Sequence, residues 1–450
     1  MHLTLHLDLN NRGILFIPTS QGSTMMFIQE EAPPLINKDT ENNVATAKMV
    51  AREKPEEILF NNIEISVSES EKRNNGTLNL REYYTVYLIE TRLINPAFEK
   101  NIEKHSTVWR RYTEFEQLHS YLEITYPYIV LPPLPEKRVM FGWQKISNDT
   151  FDPNFIDRRR AGLENFLLRV ASHSVLGWDK HYLEFLQDEE GWRESYKANG
   201  YFQLVENKLR SLSAAIRLTK SYPQFDVMKD HSDELQVILS NLLKGRCRVA
   251  EKKFAVHKLH SNYGRVFSEW SASEKEMGDS LQKIGHYLDS LASCIDASLE
   301  DEELLADQLK EYLFFAQSLQ TICKNRELLQ LKLEDAEENV ANKNVERTKA
   351  QQGKSGLMSR LFGAVDTDEV REMKVNEIDQ QIQEGVLAVN TCREGLETFT
   401  IKALADIERF QKQRTADLRE TVTSYAFLQL KTAKKGLQTW TQIRDCLQNI

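Results

Sequence analysis

The residues with the clearest chemical potential are Arg110-Arg111-Tyr112-Thr113-Glu114-Phe115. Arginine presents a planar fork of N–H donors that matches a phosphate in a bidentate way, and an adjacent aromatic ring can pack on the apolar face of an inositol ring. Two arginines beside a tyrosine are common on surfaces, so the segment alone decides little. Two further basic groups give it context. The run Leu131-Pro132-Pro133-Leu134-Pro135 is followed at once by Glu136-Lys137-Arg138, and Arg158-Arg159-Arg160 stands just before Leu163. Cations arriving from a strand end, a loop and a helix suit a sugar that carries several phosphates. Arg110 and Glu114 have an equally good structural use, pairing across the fold, and Arg158 and Arg160 are expected to point elsewhere on their helix.

These groups need elements to hold them. Ile63, Ile65 and Val67 alternate with polar residues, Tyr83 to Leu93 is rich in β-branched and aromatic residues, and Ser106 to Arg110 reads as a third strand. Asn74-Asn75-Gly76 supplies turn chemistry, so an antiparallel meander is expected. Glu114 to Tyr126 reads as a helix with Phe115, Leu118, Leu122 and Tyr126 on one face. The Pro132-Pro133-Leu134-Pro135 stretch must be extended, because proline fixes φ. Helices over about 153–172 and 179–188 complete a small α+β unit, assigned to 59–189, after a leader at 1–58 expected to be disordered.

All eleven prolines lie at or before Pro223, and residues 224–450 contain none. A proline-free stretch rich in Glu, Lys, Leu, Gln and Ala is expected to be helical. Leu235, Leu242, Val249, Val256, Tyr263, Trp270, Met277, Ile284 and Leu291 recur every seven residues, with Ile238, Leu259, Val266, Tyr287 and Cys294 three further on. This repeat predicts one supercoiled helix over 230–296, about 100 Å long at 1.5 Å per residue. A second helix is expected at 300–350, interrupted by Gly353 and Gly356, and a third at 367–448. Together they form an antiparallel three-helix bundle over 229–450, whose exposed apolar face calls for a second subunit.

The chain of 450 residues carries a net charge of −9 with 41% hydrophobic and 28% charged residues, which argues against a polybasic nucleic-acid binder. No run of about 18 apolar residues exists. The N-terminus lacks the marks of a secretory signal, His2 stands where myristoylation needs glycine, and the C-terminus has no prenylation box. Cys247, Cys294, Cys323, Cys392 and Cys446 are widely spaced and suit reduced thiols rather than zinc ligands. No Walker loop, kinase glycine loop, His-Glu-x-x-His or Gly-x-Ser-x-Gly occurs, so no enzyme and no cofactor is implied.

The combination of Arg-Arg-Tyr-x-Glu-Phe, Leu-Pro-Pro-Leu-Pro-Glu-Lys and the Arg-Arg-Arg-Ala-Gly-Leu helix resembles the PX domain, and a PX domain followed by three long helices resembles the PX-BAR sorting nexins. That resemblance implies an α+β PX domain with a three-stranded antiparallel sheet, followed by an all-α BAR-type coiled-coil bundle. It implies that Arg111 takes the 3-phosphate of phosphatidylinositol 3-phosphate, Tyr112 stacks under the inositol, Lys137 meets the 1-phosphate and Arg159 bonds the 4- and 5-hydroxyls, with Arg110 in support. It also implies a cytoplasmic protein, peripheral on early endosomes, that pairs with itself or another PX-BAR sorting nexin, senses or shapes tubules, and serves cargo recycling and autophagy. A coiled-coil adaptor without curvature activity is the rival. Further membrane contacts are expected from Phe141 and Trp143, unless these are core residues. Others are Lys244, Arg248 and Lys252 on a basic helix face, and Leu361 and Phe362 at the bundle tip. Residues 201–220, within the 190–228 linker, read as a basic amphipathic helix or as packing on the bundle.

Overall fold

The computed structural model describes residues 58–74, 83–95, 102–138, 140–142, 151–198, 200–201, 222–352 and 368–448. The 1–57 leader, most of the 201–220 segment, Trp143, Leu361 and Phe362 lie outside the described residues.

Three strands, β1 (Ile63–Asn74), β2 (Tyr83–Leu93) and β3 (His105–Arg111), form an antiparallel sheet in the order β1-β2-β3. Alternation turns Ile63, Ile65 and Val67 inward, as the sequence pattern requires. A register shift between Val67 and Glu69 interrupts the β1–β2 pairing. At that point α2 (Pro153–Ala171) covers the sheet edge: Glu164 accepts from the Val67 N–H at 2.8 Å and Arg160 donates to its carbonyl at 2.5 Å. Asp152 starts α2 by accepting from the Asn154 and Phe155 N–H groups, with Pro153 in the first turn.

The helix α1 (Tyr112–Thr125) follows β3 directly, and buries Phe115, Leu118 and Leu122 against Leu163, Phe166, Leu167 and Phe185. Helices α3 (Lys180–Gln187) and α4 (Glu189–Ala198) close this core. The α+β unit therefore extends past residue 189. Trp192, 1% exposed, and Tyr196 sit in the same core, with the Trp192 ring 5.1 Å from Phe185. Their segment looked polar because its apolar residues are only two and four apart, too few to reveal a periodicity.

Three long helices make the bundle: α5 (Pro223–Ser271), α6 (Gly278–Gln351) and α7 (Asp368–Gln448). The bundle begins at Pro223 rather than 229, and Phe225 is already part of its core. The expected single helix over 230–296 is two helices. After Ser271 the chain tightens, with Ala272 and Ser273 donating to the carbonyls of Glu269 and Trp270, and reverses before Gly278. A Cβ at Gly278 would stand 3.0 Å from the Ser271 carbonyl oxygen, so the return needs a small residue. The seven-residue repeat hid this turn because both flanking helices happen to continue it. Its two halves do different work: Ile284 and Leu291 on α6 are buried, whereas Leu242, Val249, Val256, Tyr263 and Trp270 on α5 are 42–51% exposed. Helix α6 packs against both neighbours and carries most of the buried residues.

The α+β unit is docked on the bundle through buried charge. Asp406 on α7 accepts the Val130 N–H at 2.7 Å and a hydrogen bond from His173 Nε2 at 2.9 Å. His173 Nδ1 accepts the N–H groups of Val175 and Leu176, which leaves the ring proton on Nε2. Burial alone would raise the Asp406 carboxyl, but the His173 hydrogen bond and the Arg409 charge bring it down to about 2. A second junction joins Arg169 on α2 to Glu311 (2.7 Å) and Asp417 (3.0 Å), with the Tyr312 hydroxyl also donating to Asp417.

Because α4 completes the core, Trp192→Ala is expected to cost the α+β unit about 3–5 kcal/mol. Denaturant melts followed at β-sheet and helix signals check this; an unchanged first transition would place α4 outside the cooperative unit.

Candidate headgroup site

Consecutive residues of a strand face opposite sides, and β3 uses this to divide its two arginines. Arg110, opposite Tyr87, turns into the core and is fully buried. Its guanidinium donates to the Phe185 carbonyl (2.9 Å), the Asp188 carbonyl (2.6 Å) and the Glu189 carbonyl (2.9 Å), and lies 4.7 Å over the Phe185 ring. The Phe185 and Asp188 carbonyls lie at the C-terminal end of α3, where the helix dipole favours a cation. Burial lowers the Arg110 pKa to about 10, partly offset by Glu114, so it stays charged near neutrality. Glu114 lies 3.9 Å from Arg110, bonds Arg193 at 2.5 Å, and accepts the Arg111 N–H at 2.7 Å to cap α1.

Arg111, opposite Val86, faces the other way, half-exposed, with its guanidinium 3.6 Å from the centre of the Tyr84 ring. Tyr112 opens α1, and its hydroxyl donates to the Pro135 carbonyl at 2.6 Å. Burial, helped by the Glu116 charge, pushes the Tyr112 phenol well above its usual range, so it remains a neutral donor. Arg159 on α2 lies 4.8 Å over the Tyr112 ring and 4.3 Å over Phe155, and donates to the Lys137 carbonyl at 2.7 Å. Lys137 itself is 64% exposed and pairs with Glu116 at 2.6 Å. The extended proline segment can lie this close to α2 because residue 162 is glycine: a Cβ there would stand 2.6 Å from the Pro135 side chain.

The structure thus brings Tyr112, Lys137 and Arg159 together around one segment, and sets Arg111 next to Tyr112 on the outward face of β3. Arg110 stands apart in the core. Three contributors were not singled out in the sequence. Tyr84 under Arg111 needed the strand register. Phe155 under Arg159 and Glu116 beside Lys137 lie one helical turn from Arg159 and Tyr112, a signal that was legible. Arg158 and Arg160 point away, to the bundle acids Glu303 and Asp307 and to the sheet edge.

Of the expected membrane contacts, Lys244, Arg248 and Lys252 are exposed on α5. Arg248 and Lys252 flank Val249 and Val256 at a shallow cavity of about 470 Å³. Arg246 and Lys253 turn inward to Glu303 and Glu302, which reduces the positive face that the sequence suggested. For Phe141 the structure shows packing of the kind the core alternative expected. The residue adopts a positive φ of 56°, packs half-buried on the bundle core, and its carbonyl accepts the Cys247 thiol at 2.6 Å. An apolar ring beside an apolar helix groove is removed from water there without any lipid. Among the described residues no helix is long and apolar enough to cross a membrane, and no cluster could hold a metal ion.

This sheet, its proline segment and the basic helix define a PX domain, and residues 99–189 match the PX domain family model. Sorting nexin-4 of Mus musculus is 47% identical over 396 residues, covering 86% of this chain and 87% of that protein. The Homo sapiens sorting nexin-4 has the same identity and coverage. Sorting nexin-30 of Xenopus tropicalis is 26% identical over 371 residues, covering 82% of this chain and 73% of that protein. The cryo-EM structure of the SNX-BAR Mvp1 tetramer shares the fold, with a TM-score of 0.59 at 16% identity, covering 84% of this chain and 99% of that one. The chain belongs to the PX-BAR sorting nexin family. Its α5–α7 bundle is accordingly a BAR-type bundle, and the family carries with it a membrane-associated trafficking role.

The two arginines should separate by stability. Removing Arg110 leaves buried carbonyls unpaired, so Arg110→Ala is expected to cost about 3–5 kcal/mol, and Arg111→Ala within about 1 kcal/mol. Thermal and denaturant melts of the two variants check the order; equal losses would contradict the inward and outward assignment.

Proposed function

We propose that the protein docks on membranes by binding phosphatidylinositol 3-phosphate at Arg111, Tyr112, Lys137 and Arg159, then dimerises through its BAR bundle to sense or shape tubules. The observation that carries the reading is the meeting of Tyr112, Lys137 and Arg159, from a helix start, a loop and a second helix, with Arg159 at 2.7 Å from the Lys137 carbonyl and 4.8 Å over the Tyr112 ring. Arg111 offers its fork to the 3-phosphate, and Tyr112 supplies the apolar platform under the ring. Lys137 meets the 1-phosphate by exchanging Glu116 for the lipid. Arg159, already committed in part to the Lys137 carbonyl, has donors left for the 4- and 5-hydroxyls. Burial of the apolar ring and charge-assisted bonds to phosphate together supply affinity.

The BAR part of the reading rests on the exposed seam of α5. Leu242, Val249, Val256, Leu259 and Tyr263 form a long apolar stripe exposed on α5, of the kind that a partner surface covers. A second copy or another PX-BAR sorting nexin covers it, and two headgroup sites then act together. Lys244, Arg248 and Lys252 add attraction to anionic lipid. Cargo recycling from early endosomes, protein transport and autophagy are the setting that the family resemblance implies.

Liposome pelleting across the phosphoinositides tests the headgroup assignment. Wild type is expected to prefer the 3-phosphate lipid, and Arg111→Ala to bind it roughly tenfold or more weakly. Undiminished binding by that variant would remove the site.

Dimerisation is tested by sedimentation. The double variant Val249→Glu/Val256→Glu is expected to run at the single-chain mass of 52.3 kDa, where wild type runs as a larger species. A wild-type chain that is monomeric alone and associates only with another PX-BAR sorting nexin would assign the seam to a heterodimer; an unchanged double variant would contradict the seam.

A further inference from the structure

Two of the headgroup groups sit on segments that the PX core does not hold alone. Lys137 belongs to the strap from Pro135 to Met140, and Arg159 to α2. Both segments are tied to one face of the bundle helix α6, where Glu303, Asp307 and Lys310 recur at spacings of four and three. Arg158 of α2 pairs with Glu303 at 2.9 Å and grips Asp307 through two bonds of 3.1 and 2.8 Å. Lys310, only 4% exposed, spans Asp307 at 3.1 Å and Glu136 of the strap at 3.2 Å. The other Glu136 oxygen accepts the Met140 N–H at 2.9 Å, so this carboxylate folds the strap around itself. From the opposite side, Tyr112 and Arg159 hold the carbonyls of Pro135 and Lys137.

We propose that Lys310 of the BAR bundle is a positioning residue for phosphoinositide recognition: through Glu136 it fixes the strap so that Lys137 stands at the spacing from Arg159 that the headgroup requires. The inference rests on the headgroup reading above and deepens it. Its physical basis is the cost of an unpaired charge out of water. Burial works against the Glu136 carboxylate, and the Lys310 ammonium offsets it. Without that ammonium, Glu136 loses its hydrogen-bonded cation while Asp307 keeps Arg158, so the strap is the part driven toward solvent. The bundle then contributes to headgroup affinity itself, in addition to adding membrane contacts of its own.

The test is calorimetric titration of the full chain with dihexanoyl phosphatidylinositol 3-phosphate, kept monomeric in solution so that avidity and the bundle's lipid contacts play no part. Arg111→Ala should abolish the heat of binding, which checks the reading on which the inference rests. Lys310→Met and Glu136→Gln should each weaken binding roughly three- to tenfold. If Lys310 acts through Glu136, the double variant should be no weaker than either single one. His173→Gln, which disturbs the docking of the PX domain away from the strap, should bind as wild type; a loss equal to that of Lys310→Met would mean loosened docking alone and overturn the specific role. Wild-type affinity in Lys310→Met, or additive losses in the double variant, would overturn it too, even with Arg111→Ala silent. Should Lys310→Met fail to fold, Glu136→Gln decides, and unchanged affinity there overturns the proposal. If Arg111→Ala binds normally, the headgroup reading fails and the inference with it.

Discussion

Asp406 receives a backbone N–H from Val130, a ring N–H from His173 and a guanidinium from Arg409, and the docking of the PX domain on the bundle, at the end away from the strap, depends on that carboxylate. Val130 is continuous with the proline segment that carries Lys137, and His173 ends the helix that carries Arg159. One side chain of the bundle therefore holds the far ends of both elements that form the headgroup site. Arg169, bonded to Glu311 and Asp417, fixes the last turn of that helix, and Arg158 fixes its start near the site. The PX domain meets the bundle along the whole of α2.

Buried ion pairs are a weak source of net stability, because desolvation offsets much of the Coulomb attraction. Their value here lies in geometry. An apolar interface could slide by a fraction of a turn and lose little, whereas Arg169 between two carboxylates, or Asp406 beneath Val130 and His173, has one arrangement that leaves no charge unpaired. The angle between the headgroup site and the bundle is thereby specified. In the proposed function one domain reads a lipid headgroup and the other a membrane surface, and that angle determines whether both can engage at once.

The legible and illegible parts of this protein divide by sequence separation. The strand alternation around Ile63 and Val67, the one-sided helix at Phe115 and Leu118, and the proline-free helices were readable because their signals are local. The set Arg111, Tyr112, Lys137 and Arg159 came from the family resemblance, and the structure brings Tyr112, Lys137 and Arg159 to one segment with Arg111 beside Tyr112. The inward turn of Arg110 required knowing what packs under β3. The reversal after Ser271 was masked by a repeat that two helices share, and neither proline nor a glycine pair marks it. The contacts that dock the domains join residues 142–276 apart, and no periodicity announces them. Phe141 suits either a membrane or a core by its type, and its packing on the bundle could not be read from its neighbours in sequence.

The account depends most on the docking of the PX domain at Asp406, and the Val130 amide reports on it directly. It lies in a short segment without regular secondary structure, and its N–H is bonded to a side chain 276 residues away. Hydrogen exchange of the full chain should find this amide strongly protected. In Asp406→Ala the protection should be lost there, while the amides of β2 in the PX core keep theirs. Rapid exchange at Val130 in the wild-type chain, or equal protection in the variant, would contradict a PX domain held on the bundle by this carboxylate.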